Sequence, residues 1–241
     1  MTLIRRRRPR PVPPLPAVDT KLGLSVEQQI YRSLRNALMA GRVLSGQGLT
    51  IRSIAQMLGV RPAPVREALR RLVADGVLIA RPNSAFYTPH LDSEQFKNIL
   101  QVRLQLEGYA AREAAIRAIR KDIRLVEMAT LRWERAVERR PGDVAPANHA
   151  FHFAIYQACK NPVLIGLIET LWVRMGPVLA SLPPECDFGV ALNAHDAALK
   201  AMQCGDGDAA ERAIRSDLSV GGAAIHVALV KLENSRIYSA A

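Results

Sequence analysis

The 241 residues exceed the usual size of one compact domain, and 49% apolar with 23% charged residues is an ordinary globular balance, so two domains fit the length better than one. No apolar run approaches the roughly 18–20 residues of a spanning helix, and Met1 to Ile4 is too short for a signal-peptide core despite the arginines at 5–8. The chain therefore reads as cytoplasmic, with no membrane partner.

The formal net charge of +11 is segregated: residues 1–91 hold 15 Lys and Arg against 4 Asp and Glu, whereas residues 92–241 hold 18 of each. Positive charge confined to one end suits a polyanion, because Lys and Arg gain affinity by displacing counterions condensed on phosphates. Three cysteines, Cys159, Cys186 and Cys204, are too few and too widely spaced for a disulfide framework or a thiolate zinc site. They read as buried, reduced thiols.

In chain order, residues 1–20 run through RRRRPRPVPPLP, a composition for a flexible basic arm that follows a phosphate backbone or minor groove, or serves solubility alone. From Ser25, Ile30, Leu34 and Leu38 recur at helical spacing up to Gly41. A short helix follows with Ile54 and Leu58 inward, ended by Gly59. The stretch from Pro64 to Ala74 sets Val65, Leu69 and Leu72 on one stripe, with Pro64 tolerated in a first turn. Val77 to Arg81 and Ala85 to Thr88 form a hairpin around Pro82, Asn83 and Ser84.

Beyond the link at 89–91 the pattern changes to long helices without a convincing strand. Asp92 and Gln95 form a capping pair, and the helix to Ile119 carries Phe96, Ile99, Leu100 and Leu106 on its apolar face. Helices over about 122–139, 144–159, 162–181, 190–203 and 207–232 are separated by Pro and Gly signals. The predicted fold is mainly α: a winged helix-turn-helix with a small β-hairpin wing over 21–91, then an all-α helical bundle over 92–241.

The string LTIRSIAQMLGVRPAPVREALRRLVADGVLIARPNSAFY at 49–87 resembles the winged helix-turn-helix of the GntR family, through Leu58-Gly59-Val60, Pro64 to Leu69, Asp75-Gly76-Val77 and Arg81-Pro82-Asn83. The resemblance implies that Arg52 and Arg66 contact DNA and that Pro82 and Asn83 of the wing approach the minor groove. A recognition helix beginning near Arg61 to Pro64 would point its first turn into the major groove, with Arg66 as the base-reading residue. Arg61, Arg70 and Arg81 are phosphate partners or solvated surface charges. The sequence departs from the family pattern at Arg61, Pro62 and Ala63, where two phosphate-bonding hydroxyls are usual, and its wing lacks the usual Arg-Gly after Asn83.

Residues 92–241 resemble the effector domain of the FadR subfamily, through Arg103-x-x-x-Glu107 and through Phe151-His152 followed by Asn161-Pro162. In many members Asp, then His four residues later, then two further His hold a metal ion. Those positions here are Asn148, His152, His195 and Asp217, so two have changed. The set implies a divalent metal site for Zn, Ni, Mn or Fe(II), or a site without metal whose side chains bond an organic ligand directly. Arg103 either pairs an effector carboxylate or forms a buried ion pair with Glu107 one turn on. His149 points off the shared face and His226 lies roughly opposite Asp217 on its helix.

These readings converge on a ligand-responsive regulator, a repressor acting as a homodimer on double-stranded operator DNA and responding to a small organic or sugar acid. Two others compete with it. A metalloenzyme with an appended nucleic-acid-binding domain lacks a general base of clear spacing, since Glu169 and Glu185 have no geometric claim. An architectural DNA binder leaves the charge-neutral helical domain without a purpose.

Overall fold

The computed structural model describes residues 12–19, 21, 23–81, 85–139, 143–181 and 191–240. Helix α1 (Val26–Met39) opens on a reciprocal cap: the Ser25 hydroxyl accepts from the Gln28 N–H, and the Gln28 side chain accepts from the Ser25 N–H. Its buried stripe holds Ile30, Leu34 and Leu38. Strand β1 (Gly48–Thr50) leads into α2 (Ile51–Leu58), which Thr50 caps and Gly59 ends at φ 63°. That left-handed cap turns the chain sharply into α3 (Pro62–Ala74). Pro62, not Pro64, takes the first helical position, where a missing N–H costs nothing.

Strands β2 (Ile79–Arg81) and β3 (Ala85–Tyr87) pair antiparallel, and β1 adds to the other edge of β3 with Leu49 opposite Phe86. The predicted hairpin is present. β1 was not predicted, because a strand of three residues carries no readable alternation. Pro82, Asn83 and Ser84 at the wing tip lie outside the described residues.

Of the expected flexible arm, residues 1–11 and 20 also lie outside the described residues. Residues 12–19 are docked extended chain, not a free arm. Val12 is buried, Leu15 and Val18 pack on the core, and the Gln29 side chain accepts from the Asp19 N–H while donating to the Asp19 and Leu24 carbonyls.

The second part is an all-α bundle of α4 (Ser93–Arg117), α5 (Arg120–Arg139), α6 (Val144–Ala158), α7 (Pro162–Leu179), α8 (Ala191–Cys204) and α9 (Gly207–Ala240). The Asp92–Gln95 capping box holds as predicted, and α9 runs past the predicted end at 232. α4 lies along α9 and against α6 and α7, while α8 packs between α9 and α5. By length and composition alone, α7 and one 18-residue window within 207–234 of α9 are apolar enough to cross a membrane, with mean hydropathies of 1.4 and 1.3. α7 uses that apolar surface in the core, burying Ile165, Ile168, Trp172, Val173 and Met175.

The two parts meet where α1 crosses α7. Arg35 pairs with Glu169 at 2.7 Å, and the Ser45 N–H donates to the Pro177 carbonyl at 3.1 Å and the Ser181 hydroxyl at 2.9 Å. Backbones touch at Gly176, where an added Cβ would lie 1.8 Å from the Leu38 carbonyl oxygen. Gly176→Ala is therefore expected to force α1 off α7 and to destabilise the chain by about 1–3 kcal/mol in urea unfolding. Gly166→Ala, on the same helix with no atom within 4 Å of its Cβ, should be neutral or stabilise by up to about 1 kcal/mol. Equal behaviour of the two variants would contradict the close approach.

Candidate functional site

The bundle brings together three residues that are far apart in sequence: His152 on α6, His195 on α8 and Asp217 on α9. Their exposures are 1%, 0% and 8%, and one donor atom from each lies within 4.8 Å of the others. The Asp217 carboxylate faces both rings, with Oδ2 at 3.2 Å from His152 Nε2 and Oδ1 at 3.5 Å from His195 Nε2. Neither nitrogen of His195 has a hydrogen-bond partner, and its ring stacks on Phe151 at 3.7 Å and 18°. Burial holds the His195 pKa down to about 3 against the pull of Asp217, so the ring is neutral near pH 7. Burial works against the Asp217 charge, but the hydrogen bond from His152 and the surrounding positive groups outweigh it and keep this carboxyl below its usual range.

Asn148, the fourth predicted member, sits one turn before His152 on α6 and is half-buried. His149 and His226 are not part of the cluster. His149 packs on Phe153 and Trp172, and His226 lies further along α9.

Behind His152 runs a chain of buried polar groups. His152 Nδ1 is 2.9 Å from the Tyr156 hydroxyl, which donates to Glu107 Oε2 at 2.5 Å. Glu107 also accepts from Arg103 Nε at 2.5 Å and Nη2 at 3.1 Å. Of the two roles open to Arg103, the structure displays the ion pair with Glu107, with the guanidinium 4.5 Å above the Trp172 ring. Sequence reasoning missed Tyr156, although its i,i+4 spacing from His152 places it on the same helix face.

Two cavities reach the cluster. One, of about 310 Å³ between α8 and α9, is lined by Asn193, Ala194, Ala213, Ser216 and Asp217. The other, of about 260 Å³, reaches His195 past Trp133 and Glu134.

At the basic end, Val65, Leu69 and Leu72 anchor α3 from below, while Arg66 and Arg70 are exposed. Arg70 meets Glu67 at 3.3 Å with both side chains in solvent, a weak pair that leaves the arginine free to turn. Arg52 near the start of α2 and Arg61 at the α3 N-cap are also exposed, and Arg81 lies 4.8 Å over the Tyr87 ring. Arg71 differs from these in leaning on α1, 4.1 Å over Tyr31.

Comparison with known proteins agrees with both halves. Residues 26–88 match the family model described as bacterial regulatory proteins, gntR family, and residues 98–219 match the FCD domain. The chain belongs to the GntR family. This GntR-family chain is 32% identical over 168 residues to the HTH-type transcriptional regulator McbR of Escherichia coli (strain K12), covering 68% of this chain and 75% of that one. It is 28% identical over 209 residues to the HTH-type transcriptional repressor RspR of the same organism, covering 83% and 90%. A solved structure of E. coli McbR/YncC superposes with a TM-score of 0.77 at 28% identity, over 84% of this chain and 98% of that one.

The neutral buried histidines of this GntR-family chain give it a pH signature. Burial holds His149 down to about 4 and His195 to about 3, whereas a histidine in the unfolded chain takes its proton near 6.5. Between those values the unfolded chain binds more protons, so stability rises with pH and falls as pH drops below about 6.5. Metal-free protein is expected to lose about 2 kcal/mol per histidine between pH 7 and pH 5. Urea denaturation at the two pH values measures this, and equal stability would contradict the assignment of neutral rings.

Proposed function

We propose that this chain is a sequence-specific transcription regulator of the repressor type, a cytoplasmic homodimer whose DNA affinity is set by a small-molecule effector in the α4–α9 bundle. The observation that carries this reading is the pairing, on one chain, of a basic winged helix-turn-helix with a buried polar cluster that cavities connect to the surface. The repressor name of one relative supports the sign of regulation. Dimerisation follows from base readout, because one recognition helix makes few base contacts and a two-fold dimer doubles them.

A divalent metal, Zn, Ni, Mn or Fe(II), fits the cluster. His195 offers two unpartnered buried nitrogens, and Asp217 adds a charged carboxylate between two imidazoles. His152, His195 and Asp217 would hold the ion, with Asn148 as a weaker amide donor. Such an ion supplies open coordination positions for a carboxylate or hydroxyl of an organic or sugar acid. Arg103 would act on that effector only at second hand, since Glu107 occupies its guanidinium. We read the chain as a non-enzyme: Glu169 is engaged by Arg35 at the junction of the two parts, and Glu185 lies outside the described residues.

In DNA binding, Arg66 reads bases, Arg52 contacts the DNA from the start of α2, Arg61, Arg70 and Arg81 meet phosphates, and Pro82 and Asn83 carry the wing into the minor groove. Selection from a random duplex pool should yield a sequence bound at least about 10³-fold more tightly than random DNA. Arg66→Ala should reduce that discrimination by about 1–3 kcal/mol. An equal loss on specific and random DNA would make Arg66 a phosphate contact. Absence of any sequence preference in the full chain would contradict the regulator reading.

A further inference from the structure

The hydrogen atoms along the buried chain can be counted. Glu107 presents both oxygens to the Arg103 guanidinium and accepts three bonds, two from Arg103 and one from Tyr156. A phenol has one hydrogen, and Tyr156 gives it to Glu107. The Tyr156 oxygen can then only accept from His152 Nδ1, 2.9 Å away. His152 Nδ1 therefore carries a proton. Nε2 is then the only ring nitrogen that can give a lone pair to a cation, and it faces Asp217 Oδ2 at 3.2 Å. Either a proton donated to Asp217 or a cation that replaces it lies between the two. All four side chains are fully or nearly fully buried, so water does not supply the alternative partners.

We propose that Tyr156, held by Glu107 and Arg103, is a positioning residue that fixes a proton on His152 Nδ1 and so reserves Nε2 for a divalent cation shared with Asp217. This rests on the metal reading above, yet the tautomer can be read without metal. The arrangement follows a general pattern in which a metal-binding histidine gives its other N–H to an oxygen acceptor, and loss of that acceptor weakens metal binding about 10–100-fold. Here the acceptor is itself oriented by an ion pair on the first bundle helix, so α4 helps set the donor atom that α6 presents.

The test uses the full-length chain. Long-range ¹⁵N–¹H spectra of the metal-free protein at about pH 8 should show His152 protonated on Nδ1 in the parent. In Tyr156→Phe, which keeps the ring and removes only the acceptor, the Nδ1 proton should be lost, leaving Nε2–H donating to Asp217. Zn²⁺ affinity, measured by competition with a chromophoric chelator, should fall about 10–100-fold in Tyr156→Phe. Glu107→Gln, which keeps the shape of the chain and disturbs its proton order, should also weaken Zn²⁺. A bare Nδ1 in the parent, or an unchanged tautomer with Zn²⁺ affinity within about twofold in Tyr156→Phe, overturns the proposal. Failure of the parent to bind Zn²⁺ overturns the metal reading instead, and the ¹⁵N pattern still decides the positioning role.

Discussion

Asp217 is a charged carboxylate, 8% exposed, set between two imidazoles in the middle of a helical bundle. Taking such a group out of water costs several kcal/mol unless charge and hydrogen bonds replace its solvation. The compensating groups come from separate helices: His152 from α6, which hydrogen-bonds the carboxylate, and, behind it, the Arg103 guanidinium from α4. The bundle can therefore close in one arrangement only, the one that delivers all of these to a single point. An unpaired His195 inside that point, with two buried nitrogens lacking partners, is a polar debt within an otherwise well-packed interior. A bound cation or effector would relieve it, and that makes the centre of the bundle responsive to small molecules.

One helix belongs to both ends of the molecule. Trp172 of α7 lies under the Arg103 guanidinium and 5.3 Å from the His152 ring. One turn on, Gly176 meets the backbone of α1 so closely that no side chain fits between them. Packed interiors do not deform continuously, so a shift of Trp172 has little slack to absorb it before α1. α1 packs in turn on α3, which displays Arg66 and Arg70. The order of contacts from the polar cluster to the arginines is thus cluster, α7, α1, α3. Binding at either end that favours one setting of this stack must alter affinity at the other by the same factor.

Much of this was legible in the sequence, for identifiable reasons. Amphipathic spacing gave the helices, and Ser25 and Asp92 with their Gln partners announced two helix starts through a capping pattern that depends on three-residue spacing alone. Leu58-Gly59-Val60 and the Pro64–Leu69 run placed the turn and the recognition helix. Separation of charge at residue 91 marked the DNA-facing end. The convergence of His152, His195 and Asp217 was read by resemblance, because no local pattern ties residues on three helices. β1 escaped notice because its three residues gain their strand character from β3 and not from their own alternation. The docking of 12–19 depends on Gln29, ten residues beyond Asp19, and nothing in a Pro-rich stretch signals such a partner. The Arg103–Glu107–Tyr156 chain joins two helices through Glu107 and Tyr156, 49 residues apart, and it became visible only once α4 and α6 were seen packed together.

Completion of the buried cluster by a divalent cation can be measured without any knowledge of the effector. The most direct measurement is elemental analysis of full-length protein purified without chelator or affinity metal, alongside Asp217→Asn prepared identically. The account predicts close to one divalent ion per chain in the parent and its loss in the variant, because an amide in place of the shared carboxylate removes the only negative charge among the donors. A parent protein free of metal that still releases its DNA on addition of an organic acid would contradict it, and would assign the cluster to direct hydrogen bonding of the effector.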